Sequence, residues 1–200
     1  MSATVGLLAY GSLLSHPGEE IENALAYTIK KVKTPFCVEF ARKSKGRGCA
    51  PTLVPVKRGG VAVTGCIYVL NVLPDEAADI LYRREINRVG SKKRYEAGAA
   101  TRPNSVKVCC IRKFPGVNVV LYAKLEANID SLTPESLACL AIRSVARAGM
   151  GRDGISYLID AKQHGLKTPL SDRYEAEILR QSGRDSLEGA LRFYRDAVNR

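Results

Sequence analysis

The chain has no tryptophan, only two histidines and two methionines, and aromatic residues make up 6% of its 200 positions. The two histidines, His16 and His164, lie far apart beside a proline and a glycine and do not supply a multi-histidine metal cage. No Ser/His/Asp or Cys/His arrangement and no G-x-S-x-G stretch is present, so acyl-enzyme and metal-dependent chemistries are disfavoured and no cofactor is expected. No run of 18 or more apolar residues occurs, so nothing reads as a membrane span. Residues 5–14 are mostly apolar, but residues 1–29 contain no Lys or Arg, and a secretory signal needs basic residues before its apolar stretch. The six cysteines (37, 49, 66, 109, 110 and 139) form no C-x-x-C pair, and most stand in apolar text where a thiol acts as a small hydrophobe. A disulfide framework is therefore not expected, and a cytoplasmic location is.

What the chain does have is a sizeable apolar fraction, 46%, enough to build a core without staples. Its size suits one domain, or one domain with a helical appendage. The net charge is +11, and it is unevenly placed: residues 30–58 and 83–113 each sum to +8, leaving −5 for the rest. Two basic islands in a mildly acidic body argue for an anionic partner at particular places, whether nucleic acid, phospholipid or a small carboxylate. Lys43, Lys45, Arg47 and Arg58, with Arg83, Arg84, Arg88, Lys92, Lys93 and Arg94, are the candidate phosphate contacts. With so few aromatics and no RNA-recognition or helix-turn-helix signature, a solvated basic face is the plainer reading, and nucleic acid is a disfavoured partner.

Along the first two-thirds the text reads as strands, at 5–10, 27–32, 36–40, 51–56, 61–70, 106–114 and 117–125. Pro115-Gly116 marks a tight turn between the last two. Helices are expected near 19–25 and at 75–87. After Ile129 helical text takes over. Thr133-Pro134-Glu135 supplies an N-cap hydroxyl, a first-turn proline and an acid at the positive end of the dipole. Further helices follow at 155–163, 171–181 and 185–199. Gly149, Gly151 and Gly154 spell G-x-G-x-x-G, but a capped helix rather than a strand precedes them, so the stretch reads as a glycine-rich helix–helix corner. The expected organisation is an α+β body over residues 1–130 with a C-terminal helical extension, 131–200, packed on it.

Glu85 stands out on the 75–87 helix. At about 100° per residue, Ala77, Ala78, Ile80 and Leu81 define one apolar arc, and Glu85, four residues after Leu81, falls on that side. A carboxylate there is either an ion pair with Arg84 or Arg88 at the helix end, or a group whose burial suits it to general acid–base work. Tyr10-Gly11-Ser12-Leu13 follows the first strand, where Gly11 permits a sharp turn whose successive N–H groups form an anion-binding nest; an ordinary strand-ending turn is the alternative.

Taken together, Tyr10-Gly11-Ser12-Leu13, Phe40-Ala41-Arg42-Lys43-Ser44, Gly65-Cys66-Ile67-Tyr68-Val69-Leu70, Arg84-Glu85 and Leu121-Tyr122 follow in the order of the gamma-glutamylcyclotransferase family, which the chain resembles over roughly residues 5–125. The stretch AGMGRDGISYL, residues 148–158, is similar to a tail motif of that family's glutathione-specific branch. The resemblance implies a small mixed β-barrel surrounded by helices, and a cofactor-free cleavage of a γ-glutamyl amide to 5-oxoproline and an amine. It further implies that Glu85 moves the proton, that the backbone amides of Gly11, Ser12 and Leu13 hold an oxygen of the glutamyl group, and that Tyr10 and Tyr122 line the pocket. Where the glutathione-specific branch has G-G-Y after R-E, this chain reads Ile86-Asn87-Arg88-Val89-Gly90-Ser91, which leaves the leaving amine open among glutathione, γ-glutamyl amino acids and γ-glutamylamines. The competing expectation is a non-catalytic ligand- or nucleic-acid-binding module on the same fold. The C-terminal helices would cap the barrel, shape the substrate entrance or form a homodimer surface.

Overall fold

A computed structural model describes residues 4–98 and 105–198. In chain order the first elements are β1 (Val5–Ala9), α1 (Ser12–Ser15), α2 (Glu19–Ala24), β2 (Leu25–Lys33), β3 (Val38–Ser44), β4 (Ala50–Pro55), β5 (Thr64–Leu70) and α3 (Pro74–Glu85). They are followed by β6 (Lys107–Phe114), β7 (Val117–Lys124), α4 (Pro134–Val145), α5 (Gly154–Gln163), α6 (Ser171–Ser182) and α7 (Leu187–Val198). The expected last residue of α7, Asn199, and Arg102 of the second basic island lie outside the described residues. The elements fall into two compact units, Met1–Pro35 with Thr64–Glu126, and Phe36–Val63 with Ala127–Arg200. The helices expected from residue 131 onward therefore do not group alone: the β3–β4 hairpin goes with them.

In the first unit five strands form one sheet in the order β2-β5-β1-β7-β6. Strand β1 runs antiparallel to β5 and parallel to β7, with Leu7 opposite both Tyr68 and Leu121. All five β1 residues are buried, as expected of an apolar central strand. Val5, Leu7 and Ala9 share a core with Leu13, Ile21, Cys66, Leu70, Leu121 and the α3 residues Ala77, Ile80 and Leu81. The apolar arc read from the sequence is thus the buried face of α3. Burial of Ile80 and Leu81 contributes about 1.5–3 kcal/mol each. Pro74 in the first turn, then Asp75 and Glu76 at the positive end of the dipole, start this helix.

No closed barrel forms among the described residues; the sheet is open, which corrects the barrel expected above. The expected strand at 61–70 enters the sheet only at Thr64, because Val61 pairs with Val38 of the second unit instead, the Val38 amide donating to the Val61 carbonyl at 2.9 Å. Strand β2 ends the sheet on one side. Its register shifts twice, Lys31 sits at φ 59°, and Lys30, Lys31 and Lys33 line it. Bulges and lysines of this kind discourage further pairing at an edge.

In the second unit β3 and β4 form an antiparallel hairpin, and Phe40 contacts the rings of Tyr157 and Tyr174 at 6.1 and 5.4 Å between centroids. Helix α4 opens as the sequence predicts, with Thr133 and Ser136 exchanging a reciprocal pair of capping bonds, both 3.3 Å. Asp153 caps α5 by accepting from the Ser156 amide at 2.8 Å. The Gly154 amide donates to Ser144 Oγ at 2.8 Å, and a Cβ at Gly154 would stand 2.7 Å from Ala141 Cα. The glycines after α4 are therefore what the sequence suggested, a helix–helix corner.

Candidate functional site

The turn after β1 is shaped by two glycines, Gly11 in the turn and Gly65 on the neighbouring strand β5. Gly11 adopts φ 58°, ψ −139°, a conformation that L side chains rarely reach, and turns the chain into α1. Gly65 on β5 lets the end of β1 approach: a Cβ there would lie 2.0 Å from the Ala9 carbonyl oxygen. Tyr68, three residues further along β5, donates its hydroxyl to the Leu13 and Leu14 carbonyls, 3.3 Å in each case, and fixes α1 from below. Burial pushes the Tyr68 phenol upward, so it stays a donor at neutral pH.

Helix α3 brings the second half of the site. Its last two residues, Arg84 and Glu85, both have side chains about 85% removed from solvent, with 15% and 14% still exposed. Arg84 Nη1 donates to Glu85 Oε1 at 2.6 Å. The same guanidinium donates from Nη2 to Ser12 Oγ at 3.2 Å, and from Nε and Nη2 to the His16 carbonyl at 3.2 and 2.8 Å. Of Arg84 and Arg88, Arg84 is the one paired with Glu85 among the described residues. Next to it Arg83 clasps Glu20 with Nε at 2.9 and 3.1 Å and Nη2 at 2.8 Å, tying α3 to α2.

The structure thus brings Gly11, Ser12 and Glu85 into one cluster, with Arg84 as the link. Leu13 leaves it and points into the core, 5% exposed. Tyr10 stands beside the turn, its hydroxyl 3.4 Å from the Ala123 carbonyl of β7. Tyr122 takes a different direction. On β7, Leu121 belongs to the core beneath α3, so strand alternation turns Tyr122 to the opposite face, across from Cys109. Burial, and then Cys109, raise its phenol pKa.

Sequence reasoning passed over three features. Arg84 was considered as a pairing partner for Glu85, whereas here it also joins the two motif segments; its adjacency to Glu85 was the signal. Tyr68 stands in the sequence as the aromatic of the Gly65–Leu70 motif, with nothing there to show that its hydroxyl clamps α1. Glu39 is the third: it is the lone acid of the first basic island and is fully buried on β3. It accepts from Thr168 Oγ1 at 2.6 Å, the Phe40 amide at 2.8 Å and the Leu170 amide at 3.3 Å. Burial raises its pKa despite those bonds. With every near partner supplied by its own unit, Glu39 reads as a structural carboxylate that ties β3 to the start of α6.

Among the described residues no group of three or more His, Cys, Asp or Glu is arranged to hold a metal ion, and no helix is long and apolar enough to cross a membrane. No protein-family model matches the chain, and no curated protein matches it significantly.

Proposed function

We propose that the protein is a cofactor-free γ-glutamyl cyclotransferase with Glu85 as its acid–base group. The observation that carries this reading is the meeting of the Gly11–Ser12 turn with Glu85 through Arg84, because the two segments are 72 residues apart and each alone is an ordinary structural feature. The chemistry asks little else of the protein. The substrate's α-amino nitrogen attacks its own γ-carbonyl, so the step is intramolecular and gains most from positioning and a proton shuttle. The new N–C bond closes the lactam and the γ-amide C–N bond breaks. Two protons leave the α-nitrogen and both end on the departing nitrogen, so no water, oxidant or metal is consumed.

In this reading Glu85 takes the proton from the α-ammonium and delivers it to the leaving amine. The turn at Gly11, Ser12 and Leu13 holds an oxygen of the glutamyl group, and Tyr10 borders it. Tyr122, on the other face of the sheet, is given no role.

A panel of γ-glutamyl compounds covering the tripeptide glutathione, γ-glutamyl amino acids and γ-glutamylamines tests the reading. Release of 5-oxoproline from at least one supports it and names the leaving amine. A protein inert across the panel that instead binds RNA with a steep salt dependence would be the non-catalytic module.

A further inference from the structure

Resting on the cyclotransferase reading, we infer that Arg84 selects substrates with a free α-carboxylate and that this carboxylate releases Glu85 for catalysis. The Glu85 carboxylate is engaged: Oε1 accepts from Arg84 Nη1 at 2.6 Å. A carboxylate held this way has one of its basic oxygens committed to a cation. The guanidinium that holds it has the planar fork suited to a carboxylate, and arginine is the side chain that binds such groups through two parallel donors.

The remaining contacts of Arg84 anchor it in a way that favours exchange. Nε and Nη2 share the His16 carbonyl at 3.2 and 2.8 Å, which fixes the plane of the guanidinium from the α1 side. Nη2 also reaches the neutral Ser12 hydroxyl at 3.2 Å, a longer and weaker contact than the ionic one. A γ-glutamyl compound brings its own carboxylate and ammonium on one carbon. When that carboxylate takes Nη1 and displaces Glu85, the freed Glu85 carboxylate lies next to the ammonium just delivered. The substrate thereby supplies both the counter-ion for Arg84 and the proton for Glu85. A compound with an α-carboxamide carries no charge to compete for the guanidinium, and Glu85 stays occupied.

The experiment compares kcat/KM for a γ-glutamyl compound and its α-carboxamide counterpart, in wild type, Arg84→Gln and Arg84→Lys. Wild type should prefer the carboxylate by roughly a hundredfold, the scale of a charge-assisted hydrogen-bonded pair. Arg84→Gln should bring the two substrates within a few-fold of each other, and Arg84→Lys, with charge but no fork, should fall between. Because Arg84 also ties the His16 carbonyl, the ratio is taken within each variant, where the folded fraction cancels. A wild type that handles both substrates equally, or an Arg84→Gln enzyme that keeps the wild-type ratio, overturns the inference and leaves the cyclotransferase reading standing. A wild type inert on every compound overturns both.

Discussion

Removing the hydroxyl of Tyr174 should make the protein more stable. Tyr174 is fully buried on α6, its ring 5.4 Å from that of Phe40, and its hydroxyl has no hydrogen-bond partner among the described residues. Burial, followed by nearby Asp153 and Tyr157, pushes the phenol pKa up, so the group is a neutral hydroxyl at neutral pH. A buried hydroxyl left unpaired costs about 1–3 kcal/mol relative to water. Tyr174→Phe removes that cost and leaves a void of roughly 10–15 Å³, about one water probe. At ~24 cal/mol per Å³ the void costs about 0.3 kcal/mol, so the net gain is about 0.7–2.7 kcal/mol. Urea unfolding followed by far-UV circular dichroism reads this as a rise in midpoint at unchanged m. Tyr157→Phe is the contrast, because the Tyr157 hydroxyl accepts from the Leu53 amide at 3.2 Å and its loss leaves a buried donor unpaired. That variant should lose about 1–3 kcal/mol. If Tyr174→Phe is destabilised by more than about 1 kcal/mol, the hydroxyl has a partner and the reasoning about this core is wrong.

Two further outcomes follow from the same geometry. Burial holds the Glu39 carboxyl above its ordinary 4.5, so the folded chain keeps a proton there that the unfolded chain has released. Its contribution to stability is fully present below the unfolded pKa and is lost as pH rises through the folded one. The stability of wild type minus that of Glu39→Gln should therefore fall as pH rises above the ordinary carboxyl value of 4.5 and through the raised folded one, and a difference that grows with pH contradicts the assignment. At Gly65, a Cβ would stand 2.0 Å from the Ala9 carbonyl oxygen, a clash that only a backbone shift relieves, so Gly65→Ala should cost about 1–3 kcal/mol. Gly149→Ala, with nothing within 4 Å of the added carbon, should stay within about 0.5 kcal/mol of wild type, and equal midpoints for the two variants would refute the contrast.

Local signals were legible wherever a short segment determines its own conformation. Thr133-Pro134 fixed the start of α4, Pro115-Gly116 the turn between β6 and β7, and the arc of Ala77, Ile80 and Leu81 the buried face of α3. The pairing of Glu85 with an arginine at the helix end was legible from the adjacency of Arg84 in the sequence. What could not be read depends on where distant segments meet. Nothing in residues 36–63 says that the hairpin joins the C-terminal helices, because that follows from long-range packing of Phe40 on Tyr157 and Tyr174. The open sheet was hidden for a similar reason: the apolar run at 61–70 is continuous in sequence, but Val61 finds its partner in Val38 and only Thr64–Leu70 joins β1 and β2. The resemblance implies Tyr122 in the pocket, yet strand alternation next to the buried Leu121 puts it on the other face.

The most direct test of the central claim is 5-oxoproline release by Glu85→Gln beside wild type, on whichever γ-glutamyl compound wild type cleaves. The substitution keeps the side-chain shape and an oxygen for Arg84, but removes the group that accepts and returns the proton. The account predicts a loss of about 10²–10⁴-fold in kcat with the urea midpoint little changed. A Glu85→Gln protein that releases 5-oxoproline at the wild-type rate would show that the proton moves elsewhere, and the assignment of this site would be wrong.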